Sequence, residues 1–475
     1  MINNVKKIKR ELSVIEAYGT ILFMLMIIGV GNGYLGMDLK MMLIICTGFN
    51  MFMAYLCHAT WNDIQNGIVK KITSMGTCFY ILLGIGFLIS TFIMSGTLPV
   101  LVSWLAALIS PKYVIVLSFV LVGILSLAIG SSFAAMGTLG VVMFSVANVQ
   151  GLPAGMSAAS VICGAWLGQY ISPVADIVNC AASANKISIN QYIKDMSMPL
   201  GISVAITTVF FFIIGLRYGT ESTEALLGVQ SFIADVKANF NSSIIVMIPL
   251  ILAIVLSVLQ VNTVTVLFGS GFIALIFGVV LQGFNFHSCI NAAYSGFSTE
   301  AFYSGIEMTG ELNSLLNRGG IFSMADSVLF LLCALACVGT LEVIGVFEVV
   351  QRTLFRNVKS AGKLNVVSMI CILLFGLCTA DPYPPAIVGA DLLNRPFVEA
   401  GYDPRKAAII SQAGGLLMTM SLPWSFCAWY SGNVYGVTLG QYLPYAILFW
   451  LVPVVVVLLS ILGIGNPKLK KNAEA

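Results

Sequence analysis

Ser172-Pro173-Val174-Ala175-Asp176 interrupts one apolar stretch of this chain, and Ser421-Leu422-Pro423-Trp424-Ser425 interrupts another. The two prolines lie 250 positions apart (423 minus 173). Proline has no backbone N–H to give to a helix, and it pushes the residue before it out of the helical region. Each stretch is therefore read as a helix broken in the middle. Gly130-Ser131-Ser132 and Asp381-Pro382-Tyr383-Pro384-Pro385 make a second pair of breaks, and here Gly130-Ser131 faces Ala380-Asp381 at the same offset. Within a bilayer, non-helical backbone persists only where protein or a water-filled cavity satisfies its polar groups. Four such breaks imply an enclosed polar site, although any single proline could merely kink a helix or sit in an interfacial loop.

The surroundings of the breaks establish the bilayer. Hydrophobic residues make up 59% of the 475 positions and charged residues 9%. Mean hydropathy is +0.97, whereas a soluble domain carries about 25% charged residues. A bilayer core of roughly 30 Å takes about 20 apolar residues per helix. Stretches of that length are placed near 14–36, 39–58, 76–95, 113–129, 197–216, 243–260, 264–282, 321–345, 363–379 and 441–463. The expected fold class is an all-α polytopic membrane protein with two structural repeats, discontinuous helices and helical hairpins, and roughly 10–14 membrane segments. A formal charge of +3 with no concentrated basic patch argues against a nucleic-acid partner. The 11 cysteines are scattered through apolar runs without paired CxxC spacing and read as small buried residues.

The repeat extends beyond the prolines. Gly151 and Gly401, Gly164 and Gly414, Gln191 and Gln441, and Tyr192 and Tyr442 all share the offset of 250 (401 minus 151, and so on) without a gap. Paired interruptions in corresponding halves are the best sequence pointer to a transporter's binding site. An odd number of crossings per half would make the repeats inverted. The chain divides into N-terminal membrane helices and a cytoplasmic surface segment (1–75), a first transport repeat (76–217) and a connecting region with two membrane helices and a polar loop (218–320). A second repeat (321–463) and a polar tail (464–475) follow. Lys6, Lys7, Lys9 and Arg10 before the first span, and Lys468, Lys470 and Lys471 after the last, place both termini in the cytoplasm of a multi-pass cell-membrane protein.

An ionisable side chain at mid-membrane depth costs at least about 2.5–3.5 kcal/mol, so each needs a partner or a function. Asp176 and Asp381 lie in breaks, where carboxylates and freed carbonyls together make a hard oxygen site for Na⁺ or a titrating proton. A helix cap or a membrane-surface acid is the plainer reading of each. Asp391, Asp326 and Glu342 are weaker candidates, and His58 and His287 read as interfacial. Neutral ligands cluster at the same places: Ser131, Ser132 and Thr138 after the first break, Gln169, Ser172 and Asn179 around the second, and Ser421 and Ser425 around the fourth. A lone serine on a membrane helix usually bonds its own backbone; the bunching is the signal. Tyr383, Trp424, Trp429, Tyr430 and Tyr435 form either an interfacial belt or the wall of an organic-substrate site. The segments 185–194 and 284–318 are polar enough for surface helices or loops.

Several ordered motifs resemble the NhaC-type Na⁺/H⁺ antiporters: Ser95-Gly96-Thr97-Leu98-Pro99, Ser126-Leu127-Ala128-Ile129-Gly130-Ser131-Ser132, Gly137-Thr138-Leu139-Gly140, and Gly164-Ala165-Trp166-Leu167-Gly168 through Ser172-Pro173 to Asn179. Leu316-Asn317-Arg318-Gly319-Gly320, Asp381 with Tyr383, Pro423-Trp424, and Tyr442-Leu443-Pro444-Tyr445 continue it, so the likeness covers roughly residues 76–455. The resemblance implies an ion-transporter superfamily member with inverted repeats and dimeric assembly. It also implies Na⁺ or H⁺ as coupling ion, no other cofactor, and a small ion or small organic molecule as substrate. Asp176 and Asp381 match acids of the family's motifs. Gln169 and Gln412-Ala413 stand where the family carries acids, and Ser425 replaces its asparagine. Lost carboxylates remove charge compensation for Na⁺, so exchange of an amino acid or carboxylate is the alternative expectation. A channel would lack the reason for paired halves. An intramembrane enzyme would need a nucleophile–base pair or metal triad, and no HExxH, GxSxG or GxxxxGK[ST] is present.

Overall fold

The computed structural model describes residues 10–219, 223–346, 349, 353 and 361–464. The lysine clusters at both ends and the side chain of Asp391 lie outside the described residues. The described elements are all helical. Among the described residues, nine helices are long and apolar enough to cross a membrane, or ten if the pair Leu227–Asn239 and Ile244–Val258, bent by 102°, counts as one span.

The 250-residue repeat holds in the backbone. Helices Pro111–Ile129 and Ala361–Thr379 end at the shared offset (379 minus 129). Each is followed by a residue in the left-handed region, Gly130 at φ 75° and Ala380 at φ 50°. Helices Ala154–Ile171 and Arg405–Ser421 end 250 positions apart, at Ser172 and Leu422, whose ψ values are 128° and 127°. Helices Asp176–Ala184 and Phe426–Tyr435 then restart at the same offset, after Ala175 and Ser425 in extended conformation. The proline-containing links thus break both helices in the same way, as the sequence predicts.

Packing repeats too. Helix 111–129 lies on helix 154–171, and helix 361–379 lies on helix 405–421. The halves then cross over. Helix 176–184 of the first packs on helix Tyr383–Glu399 of the second, and helix 426–435 packs on the segment 132–149 of the first. One continuous hydrophobic core runs through both halves. A second core joins the N-terminal helices Val14–Ile28 and Leu39–Leu56 to helix Ala325–Ile344 and to Leu377, Ala380, Leu422 and Trp424 at the second-half breaks.

The two polar segments expected at the surface keep many exposed residues and are largely helical. Residues 189–194 are the first turns of a 30-residue helix, Ile189–Tyr218, started by the Ser188 hydroxyl accepting from the Gln191 N–H. The polar segment 284–318 is exposed over much of its length and forms the short helices Phe286–Ser295, Thr299–Phe302 and Gly310–Leu316, and it is tied to helix Gly76–Met94 where Ser90 donates to the Ala292 carbonyl. Its Arg318 guanidinium reaches the Val434 carbonyl at 3.1 Å, at the C-terminal end of helix 426–435. A cation there complements the negative end of the helix dipole. Cys46, Cys57, Cys78, Cys163, Cys180, Cys289, Cys333, Cys371 and Cys427 are free thiols.

Candidate functional site

The breaks meet at one cavity. Its walls are Ser132, Phe133, Trp166, Gln169 and Ile177 from the first half, Pro382, Tyr383, Phe426 and Cys427 from the second, and Met75 and Cys78 at the start of helix Gly76–Met94. Mouth included, it encloses about 340 Å³. Ser132, Ile177, Tyr383 and Phe426 each stand in the first turn of a helix, so four helix N-termini converge on the cavity from both halves. Gly130 makes the convergence possible: a Cβ there would lie 2.8 Å from the Val174 and Ala175 backbone. The first break therefore presses directly on the second.

Asp381 is 5% exposed. One carboxylate oxygen accepts the Tyr383 N–H at 2.9 Å, capping helix 383–399, whose first turn tolerates Pro384 and Pro385 because its N–H groups need no helical partner. The other oxygen faces the Lys71 ammonium at 4.0 Å, and Lys71 is bound to Glu342 at 2.8 Å. Lys71 is itself 6% exposed. Two acids of unequal exposure share one buried cation.

Lys71 comes from helix Trp61–Ser74, started by a capping box between Thr60 and Asp63. That helix crosses helix 325–344 at Gly67 and Gly339, where a Cβ on Gly339 would lie 2.9 Å from the Ile68 Cα. One turn beyond the crossing, Lys71 meets Glu342. The sequence reading places membrane helices and a cytoplasmic surface segment within residues 1–75 and does not single out Lys71. Ile64, Ile68 and Lys71 nevertheless share one helical face by their spacing. A lysine on the apolar stripe, beside the exposed Lys70 off it, was the available signal.

The remaining sequence candidates divide by what holds them. Ser131 accepts the Ala134 N–H, Thr138 donates to the Ala134 carbonyl, and Ser172 donates to the Leu127 carbonyl. Asn179 donates through its side-chain amide to the carbonyls of Pro173 and Ala175, and through its backbone N–H to Ala175 as well. Trp424 is anchored through its indole N–H to the Leu377 carbonyl and belongs to the second core, away from the cavity wall. Asp176 is exposed at the start of its helix, within electrostatic reach of Tyr383, as Asp381 also is. Gln169 and Gln412 are brought together: the Gln412 amide donates to the Gln169 carbonyl at 2.6 Å, and the Gln169 amide to the Gly130 carbonyl at 3.2 Å. Ser132, Ser421 and Ser425 keep buried hydroxyls, and Gln412 a buried carbonyl oxygen, without a hydrogen-bond partner among the described residues. Gln412 was not singled out as a site residue from sequence.

The family model for the Na⁺/H⁺ antiporter family matches residues 164–464, more than half of the chain. The chain belongs to the Na⁺/H⁺ antiporter family. An uncharacterized Na⁺/H⁺ antiporter of Haemophilus influenzae is 28% identical over 459 residues, 96% of this chain and 97% of that protein. The malate-2H⁺/Na⁺-lactate antiporter of Bacillus subtilis is 28% identical over 430 residues, 90% of each chain. The Na⁺/H⁺ antiporter NhaC of Alkalihalophilus pseudofirmus is 25% identical over 427 residues, again 90% of each. Within this antiporter family membership, the apolar helices make the chain a multi-pass membrane transporter.

Proposed function

We propose that this protein exchanges Na⁺ or H⁺ against a second solute across the cell membrane by alternating access, with Asp381 as the coupling carboxylate. The observation that carries this reading is a buried acid in a helix break, at a cavity walled by both repeats, whose resident counter-ion is a lysine from outside the repeats. A monovalent cation arriving at Asp381 competes with the Lys71 ammonium, and Glu342 gives the displaced ammonium a seat. Protonating Asp381 discharges the site in the same way as a bound cation, so the two occupancies exclude each other. That exclusion is what coupled exchange requires. The two halves, related as inverted repeats, would rock around the cavity, with both termini in the cytoplasm.

Proteoliposomes of the purified protein test this. A Na⁺ gradient should move protons, read by an internal pH dye, and Asp381→Asn should lower the rate by about 100-fold, the equivalent of about 3 kcal/mol for a lost buried charge contact. Asp176→Asn, on an exposed acid, should lower it much less. Full exchange in Asp381→Asn would remove Asp381 from the mechanism.

A further inference from the structure

Two helical hairpins meet at the cavity, and they are held with unequal strength. The first is helix 111–129 with the segment 132–149, turning at Gly130-Ser131; the second is helix 361–379 with helix 383–399, turning at Ala380-Asp381. The first hairpin is bound to the broken helix 154–171 beside it. Ser126 donates to the Ala165 carbonyl and accepts the Gly168 N–H, Ser172 donates to the Leu127 carbonyl, and Gln169 donates to the Gly130 carbonyl at the tip. The broken helix of the other half binds its second arm. Tyr435, 3% exposed, donates to the Met136 carbonyl at 3.1 Å, and the buried Tyr430 donates to the Phe133 carbonyl at 3.4 Å. Residues 136–140 form a π-helical turn, a rare geometry that concentrates at functional sites. Its last residue is Gly140, where a Cβ would lie 2.5 Å from the Tyr435 hydroxyl oxygen. The widened turn and the missing side chain together admit that hydroxyl.

The positions that answer these in the second half, 250 residues on or back (376 minus 126, 435 minus 185, and so on), offer no such ties. Gly376 answers Ser126, Leu422 answers Ser172, and Thr419 answers Gln169. Glycine and leucine have no side-chain donor, and the Thr419 hydroxyl is buried without a partner among the described residues. Cys180 and Asn185 answer Tyr430 and Tyr435, and the Asn185 amide donates to Ala181 of its own helix. Helix 383–399, against which 176–184 packs, is α-helical from end to end. Helices in a bilayer gain no hydrophobic attraction for one another, so hydrogen bonds between them add directly to packing. What holds the tip of the second hairpin is the Trp424 indole on the Leu377 carbonyl and the Lys71 ammonium facing Asp381. Lys71 belongs to a frame bound to helix 426–435: Asn433 donates to the Ser327 hydroxyl of helix 325–344 at 2.9 Å, and the Trp429 and Phe330 rings stack at 4.2 Å.

Resting on the alternating-access reading above, we infer that the second hairpin, 361–399, is the element that moves during exchange, and that Ser126, Tyr430 and Tyr435 are positioning residues that keep the first hairpin still. The Lys71–Asp381 contact then spans the fixed frame and the moving hairpin. A cation that takes the place of the ammonium at Asp381 also frees the hairpin to move.

Hydrogen exchange of the full-length protein in lipid nanodiscs reads the two hairpins separately, because exchange reports local opening segment by segment. Sodium chloride compared with choline chloride, in acid and in alkaline buffer, should change the exchange rate of 380–399 at least threefold in one of the two buffers and leave 132–149 unaltered in both. Tyr435→Phe removes one hydroxyl and keeps the ring. It should make exchange of 132–149 respond to Na⁺ as that of 380–399 does, and the double variant with Tyr430→Phe should respond more. The maximal rate of Na⁺-driven proton movement should fall several-fold in both variants, with the Na⁺ concentration for half-maximal rate changed less than twofold. A tyrosine that merely fills space would leave 132–149 indifferent to the cation. Equal response of both hairpins in the unaltered protein, no response of the second, or a first hairpin still indifferent in both variants overturns the inference. Proton movement is read in vesicles of the same protein. If protons move while both hairpins respond alike, this inference fails and the exchanger reading stands; if the second hairpin alone responds while no proton moves, the exchanger reading fails and the assignment of the mobile hairpin stands.

Discussion

Ser131 in the first half and Asp381 in the second occupy equivalent positions (381 minus 131 is 250) and perform the same structural task. Each follows a left-handed residue that ends a helix, and each accepts an N–H from the helix that follows, Ala134 for Ser131 and Tyr383 for Asp381. One cap is neutral, and the other brings a buried negative charge and the lysine that answers it. The opposite asymmetry holds at the proline breaks, where Asp176 opens the restarted helix of the first half and Phe426 that of the second. The backbone of the two halves is a shared scaffold, and the chemistry has been distributed unequally over it. A carrier needs the shared scaffold to form equivalent states on the two sides, and needs unequal chemistry so that the coupling cation has one place to bind.

The largest break in this comparison comes from removing the counter-ion that only the second half needs. Lys71→Met leaves Asp381 buried without compensation and should destabilise the protein by about 3–5 kcal/mol, the cost of breaking a buried pair from one side. Thermal unfolding in detergent measures it. The double variant Lys71→Met with Asp381→Ser, which gives the second half the neutral cap of the first, should recover most of the loss. If the double variant is no more stable than Lys71→Met alone, the lysine serves helix packing and not the charge of Asp381.

These features were unequally legible in the sequence. The broken helices and the offset of 250 could be read because proline and glycine act through local backbone geometry, which the sequence carries at the position concerned. The convergence of 130–138, 169–179, 381–385 and 421–430 could be expected because unsatisfied backbone in a bilayer must collect somewhere enclosed. Which polar side chains remain free at that place could not. Asn179 spends its amide on the carbonyls of its own break and Trp424 spends its indole on Leu377, and both choices depend on tertiary packing. Lys71 was missed because its burial follows from the Gly67–Gly339 crossing, between segments far apart in the chain.

A smaller effect separates the two left-handed positions. Gly130→Ala adds a Cβ where φ is 75° and where the Val174 and Ala175 backbone already stands 2.8 Å away. Left-handed strain of about 1–2 kcal/mol and overpacking of about 1 kcal/mol or more should together lower stability by about 2–3 kcal/mol, with transport falling as well because the two breaks of the first half are wedged apart. A stability change below about 0.5 kcal/mol would mean that the break relaxes freely, and that the close contact is not what sets the cavity wall.

Ala380 is the other side of that comparison, and the gentlest test of it. The second half keeps a side chain at φ 50°, 6% exposed within the second core, so it accepts strain that the first half avoids with glycine. Ala380→Gly relieves the left-handed backbone but gives up buried methyl contact and loosens the unfolded chain. The expected gain is therefore small, about 0.5–1 kcal/mol in thermal unfolding. The informative readout is transport. Ala380 immediately precedes Asp381, and a residue held in a sparsely populated conformation beside a functional acid stores strain that can fix that acid's position. If Ala380→Gly stabilises the protein while raising the Na⁺ concentration needed for half-maximal exchange, the strain positions the Asp381 carboxylate between Lys71 and the incoming cation. If stability rises and Na⁺ dependence is unchanged, the methyl group belongs to the packing of the second core, and the difference between Gly130 and Ala380 reflects only the closer approach of the two breaks in the first half.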